Sequence, residues 1–446
     1  MKKMDKKISL QNTFNLLVGF IIAAAISTGG IYGIPHGFTL GDNSSIILDI
    51  KRNTFSLLFL LVLLSQSNTL KVCLSLTSIK ILAIFILILT FSASIHQNNF
   101  HEYIYRVTSI LSIISIIYWF AVVDEAKLQL FFRLLWFFIF LLACYLFFNI
   151  VLVYLGDNET HMAFLNGFGG NRPNFSSWLG SIAMMAAFFS TRNQFTQYPE
   201  TSLKLIFIFL VLATSQVIAG GRIGLLMTYG SILLALPLKN TLTTQKIKIF
   251  IIYFAFLGLP KLVDETLQMV YSRTPAESVF RAATSLSIKH YSGSDTDFIL
   301  NYQYFRHMDV LSGYRLTLIK EAISRLNINN IWLGNGMGNF KIHLGSTDMD
   351  VHNLYLRMLG ELGLIGFACT VAIVLYPHFL LFKDERVSIH KNLLFIGIIF
   401  SMLQPNSLIM GLNACLAYWV IYSLVVRLDY QRSGYSEPRF SGNKLR

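Results

Sequence analysis

The chain has 446 residues, of which 54% are apolar and only 13% carry a charge. Soluble globular proteins carry roughly 25% charged residues, so this composition excludes a single water-soluble domain, and it equally excludes intrinsic disorder. The formal net charge of +13 would suggest a nucleic acid partner in a soluble protein. In a membrane protein, Lys and Arg kept on the cytoplasmic side account for the same excess. The composition therefore predicts a polytopic membrane protein and no nucleic acid partner.

Apolar runs that could span a membrane recur along the chain. A spanning helix needs about 20 mostly apolar residues, and about twelve such spans are predicted. They are 14–34, 53–67, 79–95, 103–123, 128–155, 174–191, 205–219, 223–237, 249–263, 352–377, 392–408 and 410–427. The predicted fold is all-α, with one integral membrane domain over residues 1–446.

The basic residues divide unevenly between alternate loops. One set of loops, which includes both termini, holds about 20 Lys and Arg, as expected of a cytoplasmic side. The short loops of the other set hold five: Lys51, Arg52, Arg106, Arg172 and Arg222. We therefore expect both termini to be cytoplasmic.

One long hydrophilic segment, 264–350, falls on the external side between spans 9 and 10. It contains eight Lys and Arg and nine Asp and Glu, so it is nearly neutral. Within it, 313–326 places Leu316, Ile319, Ile323 and Leu326 at helical spacing, which predicts an amphipathic helix at the membrane surface. The next stretch, WLGNGMGNF, predicts a tight turn with glycines at positive φ rather than a phosphate loop.

Polar residues at three external boundaries need an explanation. Arg222 follows Ala-Gly-Gly between two apolar runs, where it either caps a helical hairpin at the headgroups or clamps an anion in a cavity. Arg315 lies on the amphipathic helix and by itself could simply pair with solvent or headgroups. His352 stands where the tenth span begins and could accept a proton near pH 7. In that span Arg357 and Glu361 are i, i+4 neighbours, so we expect them to pair.

Together these sites resemble a known family. The pattern is Gly-Arg between two spans, G-x-R on the external helix, G-x-G-x-x-x-F, and then H-N-x-Y-L-x-x-L-x-E-x-G-x-x-G opening the next span. The matching residues are Gly221-Arg222, Gly313-Tyr314-Arg315, Gly334 to Phe340, His352 to Leu356, Glu361, Gly363 and Gly366. The pattern resembles the O-antigen ligase and O-antigen polymerase superfamily of bacterial membrane glycosyltransferases, and the loop GGNRPN at 169–174 resembles the turn before a span in that family. Gly220 departs from the pattern, because family members often carry Ser or Thr before the first Arg.

The resemblance implies a metal-independent, inverting transfer at the periplasmic face of the bacterial inner membrane, without a cofactor. The donor would be an oligosaccharide linked to undecaprenyl diphosphate. His352, Arg222 and Arg315 would be catalytic: His352 as the base, and the two arginines as ligands of the diphosphate. Asn353, Tyr355, Arg172 and Tyr314 would add substrate contacts. The three catalytic residues are therefore predicted to converge on one external cavity.

The motifs leave the acceptor open. A polymerase transfers the glycan to another lipid-linked oligosaccharide, and could work with a chain-length regulator. A ligase transfers it to lipid A–core. The near-neutral external loop favours the polymerase, because lipid A–core carries phosphates that would require a basic surface. A polysaccharide transporter or lipid flippase is the remote alternative, although no matching pair of Gly- or Pro-broken spans is visible.

Overall fold

The computed structural model describes a largely helical protein. The residues described are 15–23, 26, 69–96, 100–165, 172–190, 202–219, 222–235, 315–326, 330–344, 347–351, 353–380, 385–401 and 412–432. The predicted spans 53–67 and 249–263, and most of the 264–350 segment, lie outside the described residues.

Twelve helices and one hairpin make up the described elements, in addition to helical residues at 15–23. The helices are α1 (Thr69–Ser75), α2 (Thr77–His96), α3 (Phe100–Val122), α4 (Glu125–Tyr154), α5 (Asn158–Leu165), α6 (Arg172–Ser190), α7 (Ser202–Ile218), α8 (Arg222–Ala235), α9 (Arg315–Ser324), α10 (Leu354–Phe379), α11 (Glu385–Ser401) and α12 (Leu412–Arg432), and the strands β1 (Lys341–Leu344) and β2 (Thr347–Asp350) stand between α9 and α10.

Four helices of the described part are long and apolar enough to cross a membrane: α2, the Tyr103–Val122 part of α3, α4 and α10. Shorter apolar stretches occupy α6, α7 and α11. Large side chains such as Leu87 and Phe148 are mostly exposed on these helices, as expected where a surface faces lipid rather than water. The prediction of a helical protein with apolar membrane-span candidates is therefore confirmed, whereas the number of about twelve spans stays a prediction.

Helices α3, α10 and α12 run in the same direction. Near the end of α12, the Arg427 guanidinium donates to the carbonyls of Phe120 and Val123 at the end of α3, both at 2.6 Å. The Tyr422 hydroxyl of α12 donates to the Ile373 carbonyl in the second half of α10. Near the other ends of the helices, Arg106 of α3 meets Glu361 of α10.

Helices α6 and α8 share that direction. They run parallel to each other, because Ser176 meets Gly224 near their starts and Gly180 meets Met227 one turn later. Both pack against α11, which runs antiparallel to α10. The evidence for that is a bond from Lys391 of α11 to the Leu380 carbonyl just after α10, with Phe395 of α11 lying beside His378. On α6, Phe188 stacks on His390 near the start of α11.

It follows that α3, α6, α8 and α10 begin at one end of the helical bundle. We call this the arginine end, because Arg106 lies in the second turn of α3 and Arg172 and Arg222 open α6 and α8. The common direction agrees with the alternation of spans expected from the sequence.

A small second core lies at the start of α10. It is formed by Leu318, Ala322, Phe340, Ile342 and Val351, with Leu356 packed against it. The predicted amphipathic helix is present as α9: Leu318 and Ala322 are buried in the second core, Leu326 packs against it, and Ile323 is 54% exposed. A short hairpin accompanies the helices. Its antiparallel strands pair Lys341 with Asp350 and Leu344 with Thr347.

The position of Arg106 requires a correction. The sequence assigned it to an external loop, but α3 already begins at Phe100, and the Arg106 side chain is 1% exposed. A buried charge needs a partner, and here the partner comes from α10.

Candidate functional site

A buried ion cluster occupies the arginine end. The Glu361 carboxylate is about 1% exposed and lies between two guanidinium groups. Arg106 Nη1 is 2.5 Å from Glu361 Oε2, and Arg357 Nε donates to Glu361 Oε1 at 3.0 Å. The predicted pairing of Arg357 with Glu361 is therefore confirmed, and Arg106 is the partner that sequence reasoning missed.

The same carboxylate also binds the glycine-rich turn at 334–338. The Gly338 amide donates to Glu361 Oε1 at 3.1 Å. The three described contacts of the Glu361 carboxylate thus come from α3, from α10 itself and from the turn that follows α9. Glu361 is therefore a junction between α3, α10 and the glycine-rich turn.

The backbone of α10 is interrupted beside Glu361. Gly363 adopts φ 68° and ψ −166°, which no residue of a regular helix adopts. The break frees two carbonyls: Gly360 accepts from the Asn335 amide and Glu361 from the Gly336 amide, both at 2.9 Å. The Leu364 amide donates in return to the Ile331 carbonyl at 2.7 Å. Residues 331–336 thus supply hydrogen-bond partners for the backbone groups at the break in α10, as buried backbone groups require.

Glycine is needed at this junction for steric reasons. A Cβ on Gly334 would lie 2.4 Å from the Glu361 carbonyl carbon, and one on Gly363 would lie 2.3 Å from that of Trp332. A Cβ on Gly360 would lie 2.2 Å from the Phe340 ring. The predicted tight turn with glycines at positive φ is confirmed, since Gly334, Gly336 and Gly338 have φ between 70° and 89°.

The turn leads through the hairpin back to the start of α10. Phe340 enters the second core, β1 and β2 follow, and Val351 re-enters that core. Asn353 then caps α10, with its side-chain oxygen accepting from the Leu356 amide at 3.0 Å. A cap explains an Asn at this position, so its described role is structural. His352 lies outside the described residues, but both of its neighbours are held.

The arginines at the starts of α6 and α8 are brought near each other by close packing of the two helices. The Gly224 amide donates to Ser176 Oγ at 3.0 Å, and a Cβ on Gly224 would lie 2.0 Å from the Ser176 carbonyl oxygen. Ser176 and Gly224 are each within the first turns of helices that Arg172 and Arg222 open. The two arginine backbones therefore share the arginine end.

The other predicted site residues are distributed as follows. Arg315 is the first residue of α9, which packs against α10 and β1. Tyr355 is half-buried and packs against the main core. Tyr314, like His352, lies outside the described residues, so the convergence of His352, Arg222 and Arg315 on one cavity stays a prediction.

Within the part of the chain that the structure describes, no group of three or more His, Cys, Asp or Glu side chains could hold a metal ion. Comparisons of the chain with protein-family models, with curated proteins and with solved structures find no match. The function is therefore inferred from the motifs and the geometry of the arginine end.

Proposed function

We propose that the protein is a membrane glycosyltransferase that uses an oligosaccharide linked to undecaprenyl diphosphate as its donor. One observation carries the proposal: the helices opened by Arg172 and Arg222 begin at the same end of the bundle as α10, against which α9, the helix that begins at Arg315, also packs. The sequence places His352 directly before the cap of α10. The starts of α6, α8 and α9, which are far apart in sequence, thus lie at the end where α10 begins, and this supports a common site for the three arginines and His352.

An anionic ligand suits this arrangement. The start of a helix carries a partial positive charge, so an arginine as first residue is locally unfavourable, by about 0.3–1 kcal/mol each. Three helices here begin in that way: α6, α8 and α9. A diphosphate bound among them would reverse the penalty, because guanidinium forks and helix amides both bind phosphate oxygens.

The chemistry then follows from the residue types. The acceptor hydroxyl attacks the anomeric carbon of the donor as His352 takes its proton. A bond forms between the acceptor oxygen and the anomeric carbon, and the bond to the diphosphate oxygen breaks. Arg222 and Arg315 stabilise the charge that develops on the departing diphosphate. Attack opposite the leaving group inverts the anomeric configuration.

We propose the polymerase as the specific activity, with the ligase as the alternative. The external segment 264–350 is nearly neutral and rich in tyrosine, which fits a neutral sugar acceptor better than phosphorylated lipid A–core. The test is purified protein in vesicles with lipid-linked repeat units and no lipid A–core. A ladder of glycan lengths supports the polymerase, whereas transfer that requires added lipid A–core indicates the ligase.

The catalytic base has a matched control in the same segment. His352→Ala should abolish ladder formation, whereas His343→Ala, on strand β1 of the preceding hairpin, should leave it close to normal. Equal loss in both variants would argue against His352 as the base.

Arg222→Lys tests the diphosphate contact. A lysine retains the charge but cannot form a bidentate fork, so transfer should fall strongly while the protein still folds. Near-normal transfer would indicate simple charge or a structural anchor.

A further inference from the structure

We propose that Arg106 and Glu361 are positioning residues: they lock the glycine-rich turn 334–338 onto α10 and thereby fix the segment that carries His352. The inference rests on the proposed function for its activity measurement, but the lock itself can be tested without it. The resemblance assigns a substrate contact to neither residue. Glu361 is part of the H-N-x-Y-L-x-x-L-x-E pattern, and Arg106 lies outside the motifs.

The lock is built from buried groups with directional contacts. Glu361 Oε2 faces Arg106 Nη1 at 2.5 Å, and Oε1 accepts from Arg357 Nε and from the Gly338 amide. The side chains of Arg106 and Glu361 are each 1% exposed. Ion pairs so far from water are not weakened by solvent screening, and loss of one partner leaves a buried charge without compensation.

The turn is attached to α10 at the lock, and its continuation returns to α10 at the helix start. Three backbone hydrogen bonds and the Gly338 contact tie residues 331–338 to residues 360–364. The hairpin then leads to Val351, which is buried with Phe340 in the second core. The described neighbours of His352 in the sequence, Val351 and Asn353, are therefore both held at the start of the helix that carries Glu361. If the turn no longer bound Glu361, the hairpin would be held less firmly. The segment that carries His352 would then be less fixed as well.

Arg106 connects α3 to the lock through its contact with Glu361. The opposite end of α3 is held by a second buried arginine, Arg427, which donates to the carbonyls of Phe120 and Val123. The two contacts lie about 24 Å apart along α3, from its rise of 1.5 Å per residue. Arg427 is thus a matched control: it is a buried arginine of α12 that binds the same helix, α3, at a site remote from the turn.

The test measures amide hydrogen exchange in the full-length protein in lipid nanodiscs. Four variants are compared with wild type: Arg106→Lys, Arg106→Met, Glu361→Gln and Arg427→Met. In Glu361→Gln the amide oxygen can still accept from Gly338, but the charge is lost, and Arg106→Lys keeps the charge but replaces the planar guanidinium with a shorter-reaching ammonium. These two substitutions are small, so exchange can still be measured in them if Arg106→Met does not fold.

The lock predicts faster exchange in two stretches, 334–340 and 347–356, in the Arg106 and Glu361 variants. Arg427→Met should leave both stretches unchanged and increase exchange instead around residues 120–125. Exchange in 347–356 that matches wild type in both Arg106→Lys and Glu361→Gln would overturn the proposal, whatever the activity.

The activity measurement separates positioning from a general structural role. Displacement of a catalytic group by 1 Å can cost about a hundredfold in rate. We expect kcat for glycan transfer to fall by about that factor in Glu361→Gln and by about tenfold in Arg106→Lys, with KM for the lipid-linked donor within about twofold. A normal kcat in variants with increased exchange would overturn the positioning role, provided that His352→Ala is inactive. If wild type transfers no glycan, the proposed function fails, and exchange in 347–356 alone decides whether the lock fixes this segment.

Discussion

Glu361 shows how a single residue can join distant parts of a membrane protein. Its carboxylate binds one guanidinium from α3, one from its own helix and an amide of the external turn. Its carbonyl accepts from the same turn, since Gly363 interrupts the helix two residues later. Side chain and backbone of one residue thus hold the external segment against two helices.

Removal of a single partner from the ion cluster should lower the stability of the protein strongly. Removal of one partner of a buried pair costs about 3–5 kcal/mol, so Arg106→Met should lower the free energy of unfolding by roughly that amount. The double variant Arg106→Met/Glu361→Met should lose less than the sum of the single losses, because each single change strands a charge. Thermal unfolding in detergent measures the cycle. Arg133→Met, at an exposed position of α4, is the control, and additive losses would contradict coupling between the two residues.

Gly363 should tolerate no side chain. Both its positive φ and the 2.3 Å approach of a Cβ to the Trp332 carbonyl carbon oppose alanine. Gly363→Ala should therefore destabilise the protein by several kcal/mol or prevent folding.

Gly156 separates the effect of a positive φ from the effect of the steric contact with Trp332. It has φ 91° but nothing within 4 Å of an added Cβ, so Gly156→Ala should cost only about 1 kcal/mol from backbone strain. Equal melting temperatures for the two variants would show that the contact with Trp332 does not matter.

At the scale of elements, α6 and α8 pack through small residues. Ser176 and Gly180 on α6, at i, i+4 spacing, both meet Gly224 on α8, and Gly180 also meets Met227. Small residues at this spacing let membrane helices approach closely. Thr228 of α8 accepts from Gln216 Nε2 of α7 at 2.9 Å, which joins a third helix to the pair.

This packing predicts opposite effects for two glycines of α8. Gly224→Ala should separate α8 from α6, because the added Cβ would lie 2.0 Å from the Ser176 carbonyl oxygen. Gly230→Ala places its Cβ at an ordinary 3.6 Å from Ile396 Cδ1, and should be neutral or stabilise the helix by about 0.5–1 kcal/mol. Both effects appear as shifts in melting temperature. A tolerated Gly224→Ala would contradict the close contact.

The sequence predicted most of the described helices, because long apolar runs are typical of helices that span a membrane. The runs at 79–95 and 128–155 fall within or nearly within α2 and α4. It did not predict the hairpin, since KIHL and TDMD are short and half polar, with stability that comes from Ile342 in the second core. It also misplaced Arg106, because nothing in a local window indicates a carboxylate contributed by α10.

At the scale of the whole molecule, helix direction brings the starts of several helices to one end of the bundle. Helices α3, α6, α8 and α10 begin at one end, and this follows from contacts between side chains distant in sequence. No periodicity in a single sequence contains that information. The sequence could name Arg222, Arg315 and His352 as candidates only by resemblance, whereas the packing gives a physical reason for the starts of α8, α9 and α10 to share one end.

The central claim is that this end of the bundle transfers a glycan from a lipid diphosphate. It is tested most directly by incubating the purified protein in vesicles with undecaprenyl-diphosphate-linked repeat units, without nucleotide and with EDTA present, and measuring release of undecaprenyl diphosphate. We predict release coupled to growth of the glycan, lost in His352→Ala and retained in His343→Ala. Absence of release from the wild-type protein in the presence of both lipid-linked acceptor and lipid A–core would contradict the claim.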